Sequence, residues 1–272
     1  MKDIRFVTRA DDAGSSVSAN LAIAKVLKAG FIKNCSVMAP GAFVDEAAKL
    51  LTGIKGVCFG MHFTLNAEWD RVKWGPVSPE AAKSWMVDEN SYFLANPRQF
   101  PENPPNLELI EKELNAQLER LHKAGFKISY VDTHMMPEIR VKGMDDIVRD
   151  FAIAKGLIDH MYFYEFPKGL FEAAKENKVA KVLKATPEGQ YFFVTHPALY
   201  TEEMLKTGNS EFSGEEIAKG RSGEAKLFSF PLIKPFMKAW FQIRPLRYDE
   251  ATPLSKRLTP ADAQTMLGVE DK

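Results

Sequence analysis

Cysteine is scarce in this chain. Two residues, Cys35 and Cys58, among 272 leave no basis for a disulfide-stapled scaffold, and their apolar neighbours read as buried free thiols in a reducing compartment. Net charge is lacking too, because 36 Lys and Arg balance 36 Asp and Glu. A neutral chain has no overall field to hold a polyanion, so nucleic acid is not an expected partner. No run approaches the ~18 apolar residues of a membrane helix. The opening MKDIRFVTRADD lacks the apolar stretch of ~7–15 residues that a secretory signal needs. The expectation is a cytoplasmic protein with no membrane partner. A Gly-x-Gly-x-x-Gly run is also missing after the first apolar segment, so a dinucleotide site has no support.

The chain does have core-forming material, with 45% hydrophobic and 26% charged residues, ordinary for a globular protein. Short apolar runs at 4–8, 35–38, 57–65, 128–133, 161–166 and 191–195 read as strands. Helical spacing at 19–27, 43–51, 107–124, 144–154, 170–183 and 215–227 separates them. This alternation predicts an α/β fold with a parallel sheet, a TIM-barrel-like (β/α) barrel, incomplete or irregular, in a single domain over 1–272. An open doubly wound sheet is the rival. The stretch at about 66–106, rich in Pro, Trp and Asn, reads as a loop-rich insertion after the third strand, and about 229–272 as an irregular tail.

Four polar clusters fall at the ends of predicted strands: Asp11-Asp12, His62, Asp132 with His134, and His196 before Pro197. In a parallel α/β barrel these ends share one face, where active sites form. Adjacent carboxylates can cap a turn, or they can divide labour, one holding a metal and the other taking a proton from its bound water. A strand histidine can be a satisfied core residue. Taken together, Asp12, His62 and His134 make a two-histidine, one-carboxylate set suited to one divalent ion, magnesium or zinc. Asp132 reads as an orienting partner for a histidine ring or as a plain strand-end hydrogen bonder. His196 reads as a general acid or as a loop residue bonded to backbone. His122 and His160 read as structural or exposed. Trp69, Trp74, Trp85 and Tyr92 in the insertion offer faces for a sugar ring, or simply pack it onto the barrel.

The runs Arg9-Ala10-Asp11-Asp12-Ala13-Gly14, Gly60-Met61-His62-Phe63-Thr64-Leu65, Asp132-Thr133-His134 and Thr195-His196-Pro197 resemble, in order, those of the YdjC-like family, which includes chitooligosaccharide deacetylases. Arg221 and Glu224 resemble its late Arg-x-x-Glu. The resemblance implies a barrel-like fold, a divalent metal and hydrolysis of the N-acetyl group of a sugar, with a homodimer as a fair expectation. It implies Asp12, His62 and His134 as ligands, Asp11 as general base and His196 as acid or oxyanion partner, with Arg221 and Glu224 behind them or at the substrate. Met135-Met136-Pro137 stands where many relatives carry further histidines. Two other readings remain at this stage. One is a metal-dependent isomerase or phosphoester hydrolase, for which Arg9, Arg140 and Arg244 are candidate phosphate clamps. The other is a non-catalytic carbohydrate-binding barrel.

Overall fold

The computed structural model describes residues 2–176 and 178–267. Strands β1 (Ile4–Ala13), β2 (Asn34–Val37), β3 (Cys58–Phe63), β4 (Ile128–Thr133), β5 (Ile158–Asp159), β6 (Gly189–Thr195) and β7 (Ile243–Leu246) form one sheet. Its order is β5-β4-β3-β2-β1-β6, with β7 also on β1, and every pairing is parallel. The helices are α1 (Val17–Ala29), α2 (Val44–Leu51), α3 (Glu108–Ala124), α4 (Met144–Lys155), α5 (Leu170–Lys175), α6 (Val179–Ala185), α7 (Gly214–Phe228), α8 (Ile233–Phe241) and α9 (Pro260–Leu267). Strands buried on both faces are what helical crossovers in a parallel sheet produce, and β2 and β3 are buried at every position. Cys35 and Cys58 are buried free thiols.

β1 is the spine. One edge pairs with β6 from Ile4 to Ala10. The other is shared, β7 taking Ile4 to Val7 and β2 taking Arg9 onward. Asn34 seals that junction. Its amide donates to the carbonyls of Thr8 (2.8 Å) and Leu246 (3.0 Å), and its Oδ1 accepts from the Tyr248 N–H (2.9 Å).

The sheet is a half-barrel rather than a closed ring. At the gap between its end strands, the Phe192 N–H of β6 donates to the carbonyl of Glu165, in the segment beyond β5 (2.5 Å). The strand expected at 161–166 is the reason. The Asp159 carboxylate accepts the Met161 N–H (2.9 Å), and residues His160–Tyr162 curl into a 3-10 turn. The helix expected at 170–183 is two helices, α5 and α6. The tail, expected as irregular structure with short helices, supplies the short helices α8 and α9 and also the strand β7, which was not expected; its residues 268–272 lie outside the described ones. No helix among the described residues is long and apolar enough to cross a membrane.

Candidate metal centre and active site

Consecutive strand residues point to opposite faces, which would separate Asp11 from Asp12. The register of β1 on β2 slips between Ala10 and Ala13, and Asp12 adopts φ 68°. Aspartate tolerates this left-handed geometry better than most residues, and both carboxylates reach the same cavity.

Asp11 shares a face with Arg9, two residues earlier. The guanidinium grips it by two bonds, Nε to Oδ1 (2.6 Å) and Nη2 to Oδ2 (2.7 Å), while Nη1 pairs with Asp132. All three groups are buried. Burial alone would lower the Arg9 pKa, but Asp11 and Asp132 hold it well above its usual value. Burial likewise opposes ionised Asp132, but Arg9 and His62 outweigh it and keep its carboxyl below the usual range.

His62 on β3 sits level with Asp132 on β4 in the strand register. Its Nδ1 meets Asp132 Oδ1 at 3.1 Å, so Asp132 orients His62 rather than His134. The His134 ring is held instead by Glu68, with Nε2 3.0 Å from Oε2, and its backbone N–H donates to the Phe63 carbonyl (2.8 Å). The other two ring nitrogens face each other and Asp12. His62 Nε2 lies 3.1 Å from His134 Nδ1 and 3.6 Å from Asp12 Oδ1, and His134 Nδ1 lies 3.5 Å from that oxygen.

This triangle fits a divalent ion. Ligands about 2.1 Å from a cation, spread by tetrahedral or octahedral angles, lie about 3.0–3.4 Å apart. Asp12 Oδ1 is buried without a hydrogen-bond partner, while Oδ2 is engaged by Arg221 Nη1 at 2.7 Å. An orphaned buried carboxylate oxygen is costly unless something fills the position. Burial opposes ionised Asp12, but Arg221, His62 and His134 overcome it and hold its carboxyl well below the usual range. Burial also works against a charged His62, yet Asp132, Asp11 and Asp12 lift its imidazole to about 10. A cation held there would compete with a proton for His62 Nε2. Asp11, His62 and Asp132 also cluster, but Asp11 spends both oxygens on Arg9, and Asp132 gives Oδ2 to Arg9 and Ser36 and Oδ1 to His62.

β6 delivers His196 to the mouth, with Nε2 4.0 Å from Asp11 Oδ2 and the side chain 42% exposed. Glu224 accepts its backbone N–H (2.7 Å) and the Thr195 hydroxyl (2.9 Å). Arg221 and Glu224 lie three residues apart on α7, on one helix face, so that single face braces the ends of both β1 and β6.

These groups line a cavity of about 790 Å³. Trp69 borders it and stacks under Arg221, with Cζ 5.7 Å from the ring centroid. Trp74 donates to the Asn66 carbonyl (2.7 Å), Trp85 packs edge-on against Phe100, and neither they nor Tyr92 lines the cavity. Besides Glu68, Trp69 and Asp70, the insertion reaches the site through Ala95, Asn96, Arg98 and Gln99. His122 is exposed, while His160 is buried and borders the cavity, its Nδ1 unpartnered. Burial and then Arg9 lower the His160 pKa to about 4, so the ring is neutral.

Of the arginines weighed as phosphate clamps, Arg9 is spent on two carboxylates, Arg244 pairs with Asp3 (3.7 Å), and neither Arg244 nor Arg140 lines the cavity. Sequence reasoning missed the roles of Glu68 and Arg9. The period-two spacing of Arg9 and Asp11 was a usable signal for the second. Nothing local marks Glu68.

A family model described as YdjC-like protein matches residues 5–239. A relative named carbohydrate deacetylase, from Thermoanaerobacter pseudethanolicus, is 22% identical over 74% of this chain and 83% of its own length. Another of that name, from Oceanobacillus iheyensis, is 24% identical over 78% of this chain and 94% of its own. A solved structure from Enterococcus faecalis V583, titled as a candidate for cellobiose-phosphate cleavage, superposes with TM-score 0.69 at 16% identity, covering 91% of this chain and 98% of that one. That likeness shows a shared fold.

Proposed function

Because this chain belongs to the YdjC-like family, we propose that it is a metal-dependent carbohydrate deacetylase that hydrolyses the N-acetyl group of an amino sugar. The names of the two relatives support the reaction class. The observation that carries the reading is the 3.1–3.6 Å triangle of His62, His134 and the orphaned Asp12 oxygen beside Asp11.

In this reading Asp12, His62 and His134 hold the cation. A divalent ion there supplies Lewis acidity toward the amide carbonyl and lowers the pKa of water. The chain's own groups do the rest. Arg9 fixes the Asp11 carboxylate by two bonds, so its lone pairs are aimed before substrate arrives. Asp11 takes the proton of the attacking water as the new C–O bond forms. The C–N bond then breaks, and His196, across the mouth from Asp11, gives a proton to the departing amine. Asp132 and Glu68 keep the two ligand rings in place. Trp69, buried beneath Arg221, backs that guanidinium at the cavity wall.

Acetate release from N-acetylated mono- and disaccharides tests this directly. Asp11→Asn should cut kcat by about 10²–10⁴-fold, the usual worth of a proton carrier, with bound cation unchanged. Asp12→Ala and His62→Ala should lose cation and turnover together. An Asp11→Asn protein without cation, beside a loaded and inactive Asp12→Asn, would reverse the two carboxylate roles.

A further inference from the structure

Directly after the proposed ligand His134, the chain places two consecutive non-glycine residues in left-handed geometry, Met135 (φ 56°) and Met136 (φ 50°). Side-chain-bearing residues reach that region only at a cost, and such strain persists where the surroundings demand it. Here the turn splits the pair. Met136 is buried as part of the core cluster that also holds Tyr130 and Tyr164, while Met135 stays 44% exposed, and both border the cavity.

A second apolar group is built into the same mouth. Phe212 is 52% exposed and lines the cavity, yet its backbone is tightly held. Asn209 Oδ1 accepts the N–H groups of Glu211 (2.9 Å) and Phe212 (3.0 Å), and the Asn209 N–H donates back to the Phe212 carbonyl (2.9 Å). Gly208 and Gly214 allow the loop to fold this closely, since a Cβ at Gly214 would meet the Leu205 carbonyl oxygen at 2.1 Å. The loop is also tied to the segment after β3, through the Asp70 N–H to the Gly208 carbonyl (2.8 Å) and Asn209 Nδ2 to the Glu68 carbonyl (3.3 Å). Ile139 adds a third apolar wall. Two unrelated loops thus leave large apolar side chains about half-exposed along one cavity, Met135 with its sulfur 2.8 Å from Asn66 Nδ2.

We infer that Met135, Ile139 and Phe212 form an apolar subsite at the mouth of the cavity, and that the substrate carries an alkyl group that fills it. The inference rests on the deacetylase reading and names the substrate class within it: an N-acylated amino sugar bearing a chain of several carbons. Two parts of such a molecule could supply the chain, the acyl group on nitrogen or the aglycone on the anomeric oxygen. Methionine and phenylalanine suit either, because their contact is non-directional.

The test measures kcat/KM, as free amine released, on two short series of cation-loaded protein: N-acetyl against N-hexanoyl glucosamine, and methyl against octyl glycosides of N-acetylglucosamine. A fully buried methylene is worth roughly fourfold. One series should therefore favour its long member by at least about tenfold, and that series identifies the source of the chain. The preference should shrink at least about threefold in Met135→Asn, which keeps a residue tolerant of left-handed geometry, and in Phe212→Ser. Hydrolysis of the N-acetyl methyl glycoside with no preference for length in either series overturns the subsite and leaves the deacetylase reading standing. A preference that survives both substitutions also overturns the subsite. Failure of every member of both series to release amine defeats the deacetylase reading and the subsite with it.

Discussion

Asp12 divides its oxygens, giving one to Arg221 and turning the other, unpaired, toward two imidazoles. Asp11, its neighbour, gives both to Arg9. In the proposed reading that difference suits Asp12 to holding an ion and Asp11 to moving a proton. At this scale Glu68 is the most informative new residue. Partners behind a metal-binding histidine commonly contribute 10–100-fold to affinity, so Glu68→Gln should weaken cation binding by about that factor, measured by calorimetric titration, without changing the stoichiometry. Glu138 makes a different prediction. Its Oε1 accepts the Thr133 hydroxyl (2.6 Å), but Oε2 is buried without a partner, and burial raises the carboxyl from an ordinary 4.5 to about 7. A carboxyl raised on folding contributes most stability below its unfolded pKa, and that contribution is lost as pH rises through the folded value. Stability should therefore fall between about pH 4.5 and 7 on this group's account. Glu138→Gln should flatten that slope and raise the melting temperature above pH 7, by an equivalent of about 1–3 kcal/mol; an unchanged pH profile would refute it. The ligand candidates were legible because the chain has only five histidines, and three of them, with the pair Asp11-Asp12, fell at strand ends. Glu68 was not, because it meets His134 only through the path of a long loop.

At the scale of elements, β1 and α7 organise the site. β1 carries Arg9, Asp11 and Asp12, and its slip near Asp12 cancels the alternation that would have split the acids. The alternating pattern of Arg9 and Asp11 was visible in the sequence, whereas the slip depends on pairing with β2. Asn34 holds the point where β7 gives way to β2 along β1. Asn34→Ala would strand the Tyr248 N–H and take a donor from the carbonyls of Leu246 and of Thr8, the latter keeping the Lys33 N–H, and an unsatisfied buried group costs about 1–3 kcal/mol. The expected result is a loss of about 2–4 kcal/mol in denaturant unfolding; a loss below 0.5 kcal/mol would contradict this role for the junction. Neither β7 nor the 3-10 turn at His160 was legible. Ile243–Leu246 contains Pro245 and follows an apparently irregular stretch, so local pattern argued against a strand. At the turn, the Asp159 side chain outcompetes the β propensity of Tyr162 and Phe163.

Across the whole molecule, six strand–helix alternations were enough to indicate a parallel α/β sheet, because periodicity and turn residues agreed along most of the chain. They could not indicate closure, which is decided by non-local pairing at β5 and β6. The half-barrel gathers the ends of β1, β3, β4 and β6 around one cavity, and the account depends on that cavity holding one cation. The most direct test is titration of chelator-treated protein with Zn²⁺ and, separately, Mg²⁺, by calorimetry with elemental analysis of the product. The account predicts one tightly bound ion per chain for at least one of the two metals, lost in both Asp12→Ala and His62→Ala while circular dichroism shows each variant still folded. No bound ion in the wild-type protein, or binding undiminished in both variants, would contradict it.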